Sequence, residues 1–446
     1  MKPRNWVLAF VVVGLAVAGL LFLLVRQLVP PAADPTELDP RRATVATAFL
    51  DRLDAGAWDA AHAMLAPVAA DKIDAGQLEA IWSGLPGQLG ARSGRSAPRG
   101  EQVGEHELVT VTLQFELLAL DARISVDADD RIDGFRIVPA RTTASAPPPP
   151  SDLVERELAV GEPPLGATLT LPAGPGPFPG VVLVHGSGSH DRDQTIGPNR
   201  VFRELAHGLA RRGIAVLRYE KRDAAQLQAR AGGYTIDHET VDDAIAALAA
   251  LRREDGIAAE RVFVLGHSLG AMMAPRILQR APQAAGGILL AAPARPLDEV
   301  VPEQVAYLAD LDGSRSEAER TALEQAQQAA AAVRALADGG AEDGLLLGLP
   351  APYWRDLLDY DPVAVAATLP QPLLLLHGGR DYQVTMTDFQ RWLALADGER
   401  VQLQLYPALN HLFAAGEGAS RPEEYFRRAE LDPRPLDDIA GWIRGR

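Results

Sequence analysis

Arg261-Val262-Phe263-Val264-Leu265-Gly266-His267-Ser268-Leu269-Gly270-Ala271-Met272-Met273-Ala274 decides how this chain reads. The apolar run that ends at Leu265 has the character of a strand buried on both faces. A helix-forming stretch begins after Gly270, so Ser268 stands where a strand turns into a helix. In a G-x-S-x-G turn the two glycines permit a bend too tight for a Cβ, and the serine is held strained and exposed at the carboxyl edge of the sheet. A serine hydroxyl is a poor nucleophile unless a base reaches its Oγ while backbone N–H groups wait for the developing oxyanion. Ser268 is the candidate nucleophile, supported by Gly266 and Gly270.

Around this turn the chain alternates between strand-like and helix-like stretches. Residues 180–185, 214–219, 261–265 and 287–292 read as strands, and 201–212, 240–253 and 271–280 as helices between them. Residues 372–377 and 401–406 add two strands, and 436–443 a closing helix. The runs are near-continuous in Val, Leu and Ile, which predicts a doubly wound, mostly parallel α/β sheet. Between 297 and 370 the alternation stops. Ser316 and Glu319 form a capping box ahead of a long Ala/Gln/Glu-rich helix, so this insertion reads as a helical cap over the site or as a solvated excursion without a role.

A nucleophilic serine needs a base, and the base needs an orienting acid, both at strand ends on the same edge. Asp381 follows the strand ending at His377, and His411 follows the strand ending at Tyr406. The expected oxyanion donors are the backbone N–H of Leu269, just after the nucleophile, and that of Ser187 in His185-Gly186-Ser187-Gly188-Ser189. Gly186 and Gly188 let that loop approach an acyl oxygen. His185 reads as a structural residue that holds the loop. His190 to Asp193 read as a charge network fixing it or as pocket lining, and Tyr219-Glu220-Lys221-Arg222 is open in the same way.

Composition excludes several classes. A formal net charge of −16 leaves no basic stripe for nucleic acid. The absence of cysteine removes thiolate chemistry, disulfides and cysteine-ligated metal sites. No H-E-x-x-H or comparable ligand spacing occurs, so neither a metal nor a cofactor is expected. At the N-terminus, residues 6–25 run twenty positions without a charge, enough for a helix of about 30 Å. This predicts an uncleaved transmembrane signal anchor over 1–30, with the globular part outside the cytoplasm. Residues 37–140, with helical spacing first and alternating strands after it, read as a small α+β domain. Residues 141–151 are a Pro-rich linker, and 152–446 form the α/β unit.

From about Leu153 onward the chain resembles the α/β-hydrolases, and within them bacterial esterases of the serine aminopeptidase-like or dienelactone hydrolase-like branch. The resemblance rests on residues 185–193, on Ile196-Gly197-Pro198-Asn199 and Arg218-Tyr219-Glu220-Lys221-Arg222, on the turn at Ser268, on Asp381-Tyr382-Gln383-Val384 and on Asn410-His411-Leu412-Phe413. The order Ser268, Asp381, His411 is that of α/β-hydrolases rather than of chymotrypsin or subtilisin. Dienelactone enzymes use a cysteine nucleophile, which this chain lacks, so their activity is not implied. Residues 40–140 resemble a small domain of unknown function, similar to nuclear transport factor 2, found ahead of such hydrolases. The resemblance implies a serine esterase acting on small acyl esters, and the uncharged run at 6–25 predicts that it is membrane-bound. The alternatives are an amide hydrolase, for which Glu299, Glu303 and Asp310 are candidate amine-binding acids, and a tethered scaffold with an inactive hydrolase unit.

Overall fold

The computed structural model describes residues 35–36 and 38–446, except 72, 104–105, 117–118, 141–149, 189, 223–225, 228–232 and 341–344. The segment read as a membrane anchor lies outside the described residues. Among the described residues no helix is long and apolar enough to cross a membrane. The expected membrane-anchored, extracytoplasmic placement is corrected on that finding and is withdrawn.

The chain divides into two compact units, the first ending at Ala146 and the second taking in Pro147–Arg446. In the first, helices Pro40–Asp54 and Ala75–Leu89 contribute Phe49, Leu50, Leu53 and Leu78 to a core shared with an antiparallel sheet. Its strands Arg99–Val103, His106–Phe115, Ala119–Val126 and Ile132–Pro139 are neighbours in that order. Val109, Val111 and Leu113 point into the core, as their alternation with polar residues requires.

The second unit is built on eight strands: β1 Val154–Val160, β2 Leu165–Leu171, β3 Phe178–Val184, β4 Ala215–Tyr219, β5 Ile257–His267, β6 Gly287–Leu290, β7 Leu373–Gly378 and β8 Val401–Tyr406. Their spatial order is β1-β2-β4-β3-β5-β6-β7-β8. β2 pairs antiparallel with both β1 and β4, and the rest are parallel. Val181, Val182, Leu183 and Val184 are all fully buried although successive residues face opposite sides, so both faces of the sheet are covered. The helices that cover it include α1 Val201–Ala210, α2 Asp242–Leu251 and α3 Leu269–Arg280. After β4 the chain crosses back past β3 to place β5 on its other side. The carboxyl ends of β3 and β5 therefore open onto one crevice, where sites in such sheets form.

Among the described residues four α-helices lie between β6 and β7: α4 Leu297–Ala309, α5 Glu317–Ala335, α6 Ala351–Leu358 and α7 Pro362–Thr368. Ser316 Oγ accepts from Glu319 N–H, and the Glu319 carboxylate accepts from Ser316 N–H, which satisfies two donors at the start of α5. Val333, Tyr353, Trp354 and Leu357 join the main core, so the insertion is packed into the unit. Further on come α8 Met386–Leu393 and the closing helix α9 Pro433–Arg444.

Candidate active site

Ser268 links β5 to α3 with φ 55° and ψ −119°, a backbone region that residues with a Cβ rarely occupy. The geometry is forced by close contacts. A Cβ on Gly266 would lie 2.2 Å from Gly270 O, and one on Gly270 would lie 2.3 Å from Val184 O at the end of β3. Ser268 N–H donates to Leu290 O at 2.9 Å, and Ser268 O accepts from Met272 N–H to open α3. Leu269 begins the helix, where N–H groups have no intrahelical acceptor.

The loop after β3 lies directly on the nucleophile candidate, since a Cβ on Gly186 would sit 3.3 Å from Ser268 Cβ. Its polar groups can be accounted for one by one. Gly186 N–H donates to Gln194 Oε1 at 3.0 Å, and Gly186 O accepts from Lys221 Nζ at 2.7 Å. Ser187 O pairs with His190 Nε2 at 2.8 Å. Among the described residues Ser187 N–H makes no hydrogen bond. Gly188 takes φ 90°, a conformation that favours glycine.

His185 is buried against Phe202 and Tyr219, and its Nε2 lies 3.1 Å from Asp191 O. Burial, then the nearby Lys221 charge, push its imidazole down to about 3. The charges that follow it form a network. Arg192 bonds Glu220 and Glu157, and Arg218 bonds Asp193 and Glu155.

Asp381 Oδ2 lies 2.7 Å from His411 Nδ1, and Asp381 Oδ1 accepts from Gln383 and Val384 N–H at 2.8 and 3.0 Å. Burial raises the Asp381 carboxyl, but the His411 charge and these hydrogen bonds outweigh it and hold the group below its usual value. A carboxylate can only accept, so Nδ1 carries the proton, and in the neutral ring Nε2 is left as the acceptor. The two loops are joined by Gly379 N–H to Tyr406 O and Arg380 N–H to Leu409 O. Asn410 braces the second, accepting from Leu412 and Ala414 N–H and donating to Glu424, which also holds Arg380.

His267 ties the serine turn to the histidine loop. Its ring centroid is 4.7 Å from that of His411, and its Nε2 lies 2.9 Å from His411 O. On the other side His267 Nδ1 lies 2.9 Å from Gln194 Nε2. Burial, then the His411 charge, push His267 down to about 3, so it is neutral at working pH. Donor and acceptor roles then agree along one chain: Gly186 N–H to Gln194 Oε1, Gln194 Nε2–H to His267 Nδ1, His267 Nε2–H to His411 O.

Asp381 and His411 are thus in direct contact, and a Cβ at Gly186 would meet that of Ser268. Among the described residues no hydrogen bond joins Ser268 Oγ to His411. Gln194 and Glu424 had escaped the sequence reading because their partners lie on other loops and leave no local pattern. Lys221 lies in Tyr219-Glu220-Lys221-Arg222, which the sequence leaves open between a loop-fixing charge network and pocket lining.

Residues 177–417 match the family described as serine aminopeptidase, S33, and residues 46–135 match a family of proteins of unknown function (DUF3887). The chain is 36% identical to the esterase EstD of Thermotoga maritima over 403 residues, 89% of this chain and 93% of that protein. Among solved structures it resembles carboxyl esterase 2 of Tuber melanosporum, at 15% identity and a TM-score of 0.44, covering 68% of this chain and 89% of that one. It also resembles a Pyrococcus furiosus esterase, at 15% identity and a TM-score of 0.42, covering 66% of this chain and 91% of that one.

Proposed function

We propose that this chain, which belongs to the serine aminopeptidase S33 family of α/β-hydrolases and is a carboxylic ester hydrolase, cleaves small acyl esters through Ser268, His411 and Asp381. Ser268 Oγ attacks the acyl carbonyl while His411 Nε2 takes its proton, and Asp381 keeps Nδ1–H pointed at itself and stabilises the imidazolium. The N–H groups of Leu269 and Ser187 receive the oxyanion. His411 then gives its proton to the leaving alkoxide oxygen, and an acyl-serine remains. Water, deprotonated by His411, attacks the acyl carbon and expels Ser268 Oγ, which regains its proton. No cofactor enters these steps.

The observation that carries this reading is the buried Asp381–His411 pair at 2.7 Å, braced by His267 against the Ser268 turn. An amide-hydrolase reading requires an acidic pocket for a substrate amine. Of the acids considered for it, Glu303 is taken up by Arg295 and Thr385, and Asp310 by Arg315 through both oxygens. That leaves Glu299 alone of the three acids, and favours esters. In this reading residues 37–140 form the nuclear transport factor 2-like domain and take no part in the chemistry.

A fluorophosphonate tests the assignment, since it phosphonylates only an activated serine. One adduct per chain on the Ser268 peptide, together with faster turnover of short p-nitrophenyl esters than of aminoacyl anilides, is the expected result. An adduct on a different residue removes the assignment.

A further inference from the structure

Lys221 follows β4 and is almost wholly inside the protein. Its Nζ makes two contacts, 2.7 Å to Gly186 O and 2.7 Å to Glu239 Oε1, and the two side chains are 2% and 1% exposed. A buried ammonium is costly unless it is paired and hydrogen-bonded. Glu239 supplies the pairing from the π-helical turn Asp237–Val241, a local widening often found beside functional sites. The nearest other cation in sequence, Arg222, is held by Asp243 at 2.8 Å. Tyr234 and Tyr353 stay protonated, because burial and the Glu239 charge push their hydroxyls up. The loop carbonyl of Gly186 therefore faces the cationic end of the Lys221–Glu239 pair in a low-dielectric setting.

Gly186 C=O and Ser187 N–H belong to the same peptide group. Amide resonance couples the two ends, so a cation at the oxygen draws electron density from the nitrogen and makes the N–H a stronger donor. We infer that Lys221 is a positioning residue for ester hydrolysis: its ammonium fixes and polarises the Gly186–Ser187 peptide so that Ser187 N–H meets the oxyanion as a strengthened donor. This rests on the reading of Ser187 N–H as an oxyanion donor. Gln194 on Gly186 N–H and His190 on Ser187 O hold the neighbouring groups. Rotation of the peptide away from the crevice would break the Lys221 contact, and the bonds on either side resist it.

The test compares Lys221→Gln with Lys221→Met combined with Glu239→Gln, which avoids an orphaned carboxylate. Turnover of a p-nitrophenyl ester and inhibition by an alkyl trifluoromethyl ketone, whose serine adduct carries an oxyanion, are read on folded protein. With both charge and donor removed, kcat falls roughly ten- to a hundredfold while KM is little changed. Ketone affinity falls by the same factor as kcat/KM, since both report the oxyanion. Lys221→Gln keeps an N–H for Gly186 O without the charge and falls between the wild type and the double variant. A purely structural role lowers thermal stability without this parallel loss. Unchanged ketone affinity in either folded variant overturns the inference, and if the double variant does not fold, Lys221→Gln alone decides. Failure of the wild type to take a fluorophosphonate on Ser268 would instead remove the underlying reading.

Discussion

His267 Nε2 donates to the backbone carbonyl of His411 at 2.9 Å, so the residue before the candidate nucleophile holds the candidate base in place. The bond requires a proton on Nε2, which leaves Nδ1 to accept from Gln194. The side chain of Gln194 in turn anchors Gly186. The turn at Ser268, the loop at Gly186 and the loop at His411 are therefore one hydrogen-bonded unit. A displacement of about 1 Å in any of them is enough to cost catalysis heavily.

This unit makes the fold acid-sensitive. His185 and His267 are pushed down to about 3 by burial, whereas in the unfolded chain each binds a proton near 6.5. Between these values the unfolded state holds more protons, so stability rises with pH through that window and is lost as pH falls toward 3. Each histidine adds about 1.4 kcal/mol per pH unit to that slope. His267→Gln should remove one such share in urea titrations between pH 4 and 6.5, and a slope equal to the wild type's contradicts the account.

Ser268 stores strain for its role. Ser268→Ala should lower ester turnover by roughly 10⁴- to 10⁶-fold with the melting temperature little changed. Ser268→Gly should be equally inactive and more stable by about 1 kcal/mol, because glycine accepts φ 55° without cost. Thermal melts of the two variants side by side check the sign of the difference.

Two glycines of the site should behave differently. Gly266→Ala puts a Cβ 2.2 Å from a backbone oxygen that cannot yield, so a loss above about 4 kcal/mol and little soluble protein are expected. Gly186→Ala meets Ser268 Cβ at 3.3 Å, with His267 O and Nδ1 at ordinary contact distances of 3.5 and 3.6 Å. It should fold with a stability within about 1 kcal/mol of the wild type and lose turnover about tenfold, as the loop is pushed off the nucleophile. Soluble yield and kcat, measured for both, separate a structural glycine from a catalytic-loop glycine.

Asp381→Asn should fold and lose about 10³- to 10⁴-fold in kcat. The new amide can donate to His411 Nδ1, which moves the ring proton to Nε2 and takes away the base. Steady-state kinetics with an acyl ester measure the loss, and a variant within tenfold of wild type would place the orienting group elsewhere.

Much of the second unit was readable from residues alone, because β3 to β7 carry mostly apolar runs buried on both faces, while the edge strand β8 alternates apolar residues with Gln402 and Gln404. β1 and β2 were not. Their Glu155, Glu157, Thr168 and Thr170 look like loop composition, yet Thr168 and Thr170 are buried and donate to Glu157 and Glu155 across the strand pair. The candidates Ser268, Asp381 and His411 were legible because each follows the end of a strand. Lys221 and Gln194 lie 35 and 8 positions from Gly186, whose peptide groups they hold, and no spacing rule links them. The insertion could be seen as helical, but what α4 touches could not: Gln304 donates to Gln383 O, and Tyr307 stacks on Tyr382 at 4.9 Å, beside Asp381.

The central claim is that Ser268 carries the acyl group while His411 and Asp381 drive its transfer. Rapid acid quenching of the enzyme with a p-nitrophenyl ester, followed by peptide mass analysis, tests it most directly. The account predicts one acyl group on the Ser268 peptide, formed in step with a burst of nitrophenol and lost in His411→Ala. An acyl group recovered on any other residue, or formed at full rate without His411, contradicts it.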